Sequence, residues 1–200
     1  MSTTGIVLAG GRSTRMGQDK ASLPFGDETL LSRSIRLVGS VADTVIVVAR
    51  PDQSFAKLPP SVRIVHDPIE NLGPLAGIAA GLGASTTELN VIVACDMPLV
   101  NPAVLRRLIE LREEADICVA VVDGHASPLC AVYRRGVAIR AQAMLASGER
   151  RVMTLLDRVH TKQVDAAVFR NIDPDLDSFV SCNTPAELRW AELKFRPSGD

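Results

Sequence analysis

Short apolar runs alternate with segments of helical period along most of the chain. Gly5–Ala9 is a β-branched run closing on glycines and predicts a strand. In Glu28–Val41 the residues Leu30, Leu31, Ile35, Leu37 and Val38 fall near helical spacing, which predicts a helix. Thr44–Ala49 and Ser61–His66 read as strands, Pro74–Ala84 as a small-residue helix, and Asn90–Cys95 as a fully buried strand. Asn101–Glu114 opens with an asparagine cap and Pro102 at the first helical position, then continues with helical period. Beyond it, Asp116–Val122 and Pro128–Tyr133 predict strands, and Gly136–Ser147 and Arg151–Arg158 predict helices. Val164–Arg170 and Ser178–Val180 are further strand candidates.

Continuously apolar strands separated by helices predict an α/β fold. Its sheet is mostly parallel, twisted and Rossmann-like, and is covered on both faces as a three-layer sandwich. At 200 residues the chain reads as a single domain spanning 1–200, able to bury about 70% of its surface without a disulfide or structural metal. In such sheets ligands bind beyond the carboxyl ends of the strands. The loops after Ala9, Ala49, His66 and Cys95 are therefore the places to look.

Composition narrows the function. Lys and Arg number 22 against 23 Asp and Glu, a net charge of −1 that argues against a general nucleic-acid coat protein. Aromatics at 4% leave no stacking platform for single strands. The four cysteines, Cys95, Cys118, Cys130 and Cys182, show no CxxC spacing and read as small buried hydrophobes, which suits a reducing cytoplasm. No apolar run of about 18 residues predicts a membrane span, and the first residues lack the charged region of a signal peptide. The expectation is a cytoplasmic protein without a membrane contact.

The chemistry concentrates in Leu8-Ala9-Gly10-Gly11-Arg12-Ser13-Thr14-Arg15-Met16-Gly17-Gln18-Asp19-Lys20. Glycines let a backbone present N–H groups to phosphate oxygens, and Arg12, Arg15 and Lys20 add the charge a polyphosphate needs. The segment matches neither GxxxxGK[ST] nor GxGxxG. A plain glycine turn carrying exposed charges, Lys20 among them, is the alternative. Asp96 follows the most apolar strand, where a hard carboxylate oxygen suits Mg²⁺; it could equally open the turn before Pro98. Asp67 precedes Pro68 and by itself reads as a turn residue. Arg50 reads as a solvated charge, with a nucleotide contact as the alternative. Arg150 and Arg151 are either phosphate-binding forks or surface charges. In Asn183-Thr184-Pro185-Ala186-Glu187, Thr184 and Glu187 have capping-box spacing. The three histidines, His66, His125 and His160, are scattered, and no nucleophile–base arrangement is evident.

The pattern LAGG-x3-RMG-x-DK resembles the signature loop of the molybdenum cofactor guanylyltransferases. More broadly it resembles the nucleotidyltransferases that activate sugar phosphates. The resemblance continues in order through Gly73-Pro74-Leu75-Ala76-Gly77, Asp96-Met97-Pro98, Pro128-Leu129, Gly148-Glu149-Arg150-Arg151-Val152 and Asn183-Thr184-Pro185. It implies a fold of the nucleotide-diphospho-sugar transferase type, and transfer of GMP from GTP to molybdopterin with release of pyrophosphate. Mg²⁺ is the implied cofactor; GTP, molybdopterin and molybdoenzyme maturation proteins are the implied partners. By the same resemblance Leu8, Ala9, Gly10 and Gly11 hold the nucleotide, and Arg15 and Lys20 neutralise the triphosphate. Asp67 contacts the guanine side, Asp96 binds nucleotide and metal, and Arg150, Arg151 and Asn183 face molybdopterin. The family's asparagine near the second strand has no counterpart, since Ala49 stands there. Three alternatives stay open: a cytidylyltransferase for molybdopterin, a sugar-phosphate nucleotidyltransferase, and a nucleotide-binding regulator without catalysis.

Overall fold

A computed structural model describes residues 2–10, 19–55, 58–67 and 73–195. Its main sheet is built from β1 (Thr3–Leu8), β4 (Thr44–Ala49), β5 (Val62–His66), β6 (Leu89–Ala94), β7 (Ile117–Val122), β8 (His125–Arg134) and β9 (Thr161–Asp165). The spatial order is β5-β4-β1-β6-β8-β7-β9. A separate hairpin pairs β2 (Pro24–Phe25) with β3 (Glu28–Thr29). The helices are α1 (Leu30–Gly39), α2 (Pro74–Ala84), α3 (Pro102–Leu111), α4 (Val137–Ala146), α5 (Val152–Asp157) and α6 (Pro185–Lys194).

The alternation within each strand builds the three layers. Val7, Val45, Val47, Val91 and Val93 point to one face and pack with α1 and α3. Their neighbours Ile6, Ile46, Val48 and Ile92 point to the other face, against α2, α4 and α5. Both faces are dry, which is why these strands read as uninterrupted apolar runs. The expected α/β sandwich is therefore the observed one. The four cysteines are buried free thiols, and burial pushes the Cys130 thiol up to about 12. No helix among the described residues is long and apolar enough to cross a membrane.

Four local expectations need correction. The predicted helix 28–41 is shorter, because Glu28 and Thr29 belong to the hairpin and the Thr29 hydroxyl caps α1 by accepting from Ser32 N at 3.1 Å. The strand expected at Pro128–Tyr133 begins at His125 and runs antiparallel to both β6 and β7. Asp123 and Gly124, at φ 49° and 79°, form the two-residue turn that reverses the chain. The strand expected at Val164–Arg170 ends at Asp165, whose carboxylate accepts from Ala167 N at 2.8 Å and curls Ala166–Phe169 into a 3-10 turn. Ser178–Val180 is not a strand either. The Asp173 carboxylate accepts from Asp177 N at 3.2 Å and Ser178 N at 2.9 Å, folding Asp177–Phe179 into another 3-10 turn.

Close packing of α1 on the sheet depends on Gly5 in central strand β1. A Cβ there would lie 2.0 Å from Val38 Cγ1 and 3.3 Å from Ala42 Cβ. Val38 is fully buried and β-branched, so it cannot swing aside. Gly5→Ala should lower stability by about 1–3 kcal/mol, read as a shifted urea midpoint with an unchanged m value. An unchanged midpoint would show that α1 can move off the sheet without cost.

Candidate active site

The carboxyl ends of β1, β4, β5 and β6 form one rim. The ladder runs on past the strands: Ala9 N donates to Val48 O at 2.9 Å, Cys95 N to Leu8 O at 3.0 Å, and Asp67 N to Ala49 O at 2.8 Å. These bonds fix Leu8, Ala9, Asp67 and the start of the Asp96 turn in one row. Gly10 follows Ala9 and lies against Arg50, whose Cγ and backbone N would each be 3.6 Å from a Cβ at position 10. Gly11 and Arg15, both expected in the site, lie outside the described residues.

Lys20 sits over this rim. Its Nζ donates to Asp96 Oδ2 at 2.8 Å and to Asn183 Oδ1 at 2.8 Å. The third ammonium proton has no partner among the described residues. Asp96 Oδ1 is buried and also lacks a hydrogen-bond partner among them. The two side chains are 12% and 19% exposed, so Lys20 is not the exposed loop charge of the alternative reading. The ion pair is partly shielded from water and correspondingly stronger.

Each member is held from behind. Asp19 caps the 3-10 turn Lys20–Ser22 by accepting from Ala21 N at 3.1 Å. Asp96 O accepts from Cys182 N at 2.7 Å, which ties the turn after β6 to the segment leading into α6. Asn183 precedes α6, whose capping box forms as the spacing predicts: Glu187 N donates to Thr184 Oγ1, and Thr184 N donates to Glu187 Oε2 at 2.9 Å. The Glu187 carboxylate accepts from Asn183 N as well, at 2.6 Å, and that bond holds it below the ordinary carboxylate range against the opposing effect of burial. Burial, followed by the Asp96 charge, drives the neighbouring Cys95 thiol far up and keeps it protonated.

Two supporting residues carry no evident signal in the sequence. Arg33 lies in α1 but is only 6% exposed. Its Nε donates to the Pro98 carbonyl and its Nη1 to Glu28 Oε1 at 3.1 Å. The guanidinium carbon lies 4.0 Å from the Phe195 ring centroid and 5.0 Å from that of Phe25. Arg33 thus braces the turn containing Asp96 against the hairpin and the end of α6. Burial pushes the Glu28 carboxyl up, but hydrogen bonds from Arg36 and Arg33 outweigh it and hold the group below its usual range. Gln53 is 5% exposed and bonds Ala9, Asp19 and Arg50. Arg50, expected to be solvated, is 18% exposed and ion-paired, with Nη2 3.6 Å from Asp19 and Nε 3.5 Å from Asp52.

The structure does not join Arg150 and Arg151 to this cluster: neither bonds Lys20, Asp96 or Asn183. Arg151, 79% exposed, pairs with Glu149. Hydrogen bonds from the Arg151 side chain and the local backbone hold the Glu149 carboxyl at about 2.

A Rossmann-like sheet with an ammonium and a carboxylate at its carboxyl rim suits the class that comparison with known proteins gives, a nucleotidyltransferase. The chain belongs to the family of the MobA-like NTP transferase domain, which matches residues 5–164. It is 33% identical over 193 residues to a probable molybdenum cofactor guanylyltransferase of Pelotomaculum thermopropionicum, covering 96% of this chain and 93% of that one. A protein of the same description from Methanothermobacter thermautotrophicus is 35% identical over 191 residues, covering 92% and 95%. Among solved structures, molybdopterin-guanine dinucleotide biosynthesis protein A from Archaeoglobus fulgidus superposes with a TM-score of 0.82 at 26% identity, over 96% of this chain and 97% of that one. The 2-C-methyl-D-erythritol 4-phosphate cytidylyltransferase of Thermus thermophilus shares the fold, with a TM-score of 0.74 at 17% identity over 97% and 98%.

Arg33→Met should cost about 2–3 kcal/mol, because it leaves the Pro98 carbonyl without its donor and removes a buried cation from Glu28. Urea unfolding checks this. A loss below about 0.5 kcal/mol, the range of ordinary surface substitutions, would show that the guanidinium does not brace the turn.

Proposed function

We propose that the protein transfers GMP from GTP to the terminal phosphate of molybdopterin, releasing pyrophosphate. The observation that carries this reading is the Lys20 ammonium held between Asp96 and Asn183 at the sheet's carboxyl rim, with its third proton unpartnered among the described residues. The names of the relatives supply the substrates, and the site supplies the chemistry. An acceptor phosphate oxygen attacks the α-phosphorus in line, and the bond to the β-phosphate breaks. Such transfers depend on positioning and charge stabilisation more than on a protein nucleophile. Backbone at Leu8, Ala9 and Gly10 would line the nucleotide, and Gly11 and Arg15 extend that reading to the adjoining segment. Lys20 would oppose charge gathering on the departing pyrophosphate. Asn183, with Arg150 and Arg151, is assigned to the molybdopterin side.

The residues fit a divalent ion. Asp96 Oδ1 is a buried carboxylate oxygen without a hydrogen-bond partner among the described residues. No cluster of three His, Cys, Asp or Glu side chains accompanies it there. Mg²⁺ takes few protein ligands and completes its shell with phosphate oxygens and water, so Asp96 would be its protein ligand. The bound ion would supply neutralising charge to the triphosphate. A cytoplasmic setting belongs to the same reading, and four buried thiols support it.

Asp96→Asn keeps the shape of the side chain but removes its charge. Turnover should fall at least about 100-fold, on the order of 2.7 kcal/mol in the barrier, with Mg²⁺ dependence weakened. Lys20→Met, which spares most of the buried stem, should lose turnover comparably. A normal rate in either variant would remove that residue from the mechanism.

Base choice rests on Asp67. A carboxylate can accept from both guanine N1–H and the 2-amino group, whereas cytosine would set an acceptor against it. Thermal shifts with Mg²⁺ should show GTP stabilising the protein more than CTP, ATP or UTP, and Asp67→Ala should erase the margin over CTP. A preference for CTP would make the enzyme a cytidylyltransferase. A GTP preference that survives Asp67→Ala would move only the residue assignment.

A further inference from the structure

The geometry points to Gln53 as a positioning residue that holds Lys20 in register with the end of β1; the inference deepens the nucleotidyltransferase reading above and rests on it. Gln53 lies in the loop after β4, a polar stretch between Pro51 and Ser54. The residue is nevertheless buried, and both ends of its amide are bonded. Nε2 donates to the Ala9 carbonyl at 3.2 Å and to Asp19 Oδ2 at 2.6 Å, while Oε1 accepts from Arg50 N at 3.1 Å. The orientation is not arbitrary. Two acceptors face one end of the amide and a donor faces the other, so the flipped amide would set oxygen against oxygen twice.

Its two donors reach residues ten positions apart, Ala9 at the strand end and Asp19 beside Lys20. Asp19 in turn uses its other oxygen, Oδ1, to cap the turn that carries Lys20. A displacement of Gln53 therefore reaches the ammonium through one carboxylate. A second contact acts on the same carboxylate: Arg50 Nη2 lies 3.6 Å from Asp19 Oδ2. Gln53 bonds neither Lys20 nor Asp96 directly. Its effect is on where the ammonium stands, and misplacement on the order of 1 Å can cost a large factor in rate.

Gln53→Glu is nearly isosteric, replaces both donated bonds by repulsion and sets a second carboxylate against Asp19. Gln53→Met removes all three bonds at similar length and guards against a misfolded first variant. Adding Asp19→Asn to Gln53→Glu swaps the polarity: the asparagine oxygen can still cap Ala21 N while its amide donates to position 53. Each single variant should lower kcat about 10-fold or more, with KM for GTP changing less than about threefold, because the lost interaction is one realised in the transition state. The swapped pair should recover part of the Gln53→Glu loss, because it restores the bond to position 19 but not the one to the Ala9 carbonyl. A readout without turnover is the Lys20 side-chain NMR resonance. The chain has four lysines, so the signal can be assigned by its loss in Lys20→Met; it should shift in both single variants and return in the swapped pair. If both single variants keep kcat within about twofold while only their melting points fall, Gln53 is structural and the proposal is overturned. A Lys20 resonance that stays in place in both variants overturns it equally. Should the unsubstituted protein transfer no nucleotide at all, the functional reading fails separately, and the resonance still decides the role of Gln53.

Discussion

The ammonium of Lys20 can occupy its place only if three distant parts of the chain meet there. Asp96 is 76 positions away along the sequence and Asn183 is 163 positions away, yet both accept from it at 2.8 Å. A cation partly removed from water requires this company, since its desolvation must be offset by close, well-directed acceptors. The requirement propagates outward. Asp96 needs its turn held, Asn183 needs the start of α6 held, and Lys20 needs its own short turn capped.

The structure answers each need with a buried polar group rather than with more apolar packing. Arg33 fixes Pro98, Gln53 fixes Asp19, and Glu187 fixes Asn183. These bonds lie where irregular backbone must be placed to within a fraction of an ångström, a task for directional interactions. The sheet below needs none of this. Its two apolar faces are satisfied by area and shape, which tolerate exchange of one branched side chain for another. Tight placement at the rim and tolerance in the body explain how relatives about one-third identical can share the family.

Legibility in the sequence follows the same division. Lys20 stood out because it closes a glycine-rich, cationic segment, and Asp96 because it sits just beyond the most apolar strand. Asn183 was visible only through resemblance, since Thr184 and Glu187 already account for its segment as a helix start. Arg33 and Gln53 were not legible. An arginine beside Leu30, Leu31 and Ile35 reads as the solvated edge of an amphipathic helix, and the hairpin and the end of α6 packed over it bury it. The antiparallel course of β8 was also missed. Strands buried on both faces lose the alternation that reveals direction, although Asp123-Gly124 carried the hairpin signal. Asp173 and Asp165 ended two apolar stretches by bonding nearby backbone, a local competition that hydrophobic pattern does not register.

The central position of β1 has a consequence for how the molecule comes into being. Its neighbours are β4 and β6, so Thr3 pairs beside Leu89. The strand that begins the fold therefore waits during synthesis for partners made much later. Long-range parallel pairing of this kind closes large loops and slows folding. The final acceptor for Lys20 comes later still, at Asn183. A chain released from the ribosome before that point could assemble most of its sheet and still lack one wall of the site. Formation of the site therefore waits for the segment leading into α6, long after most of the sheet can pair.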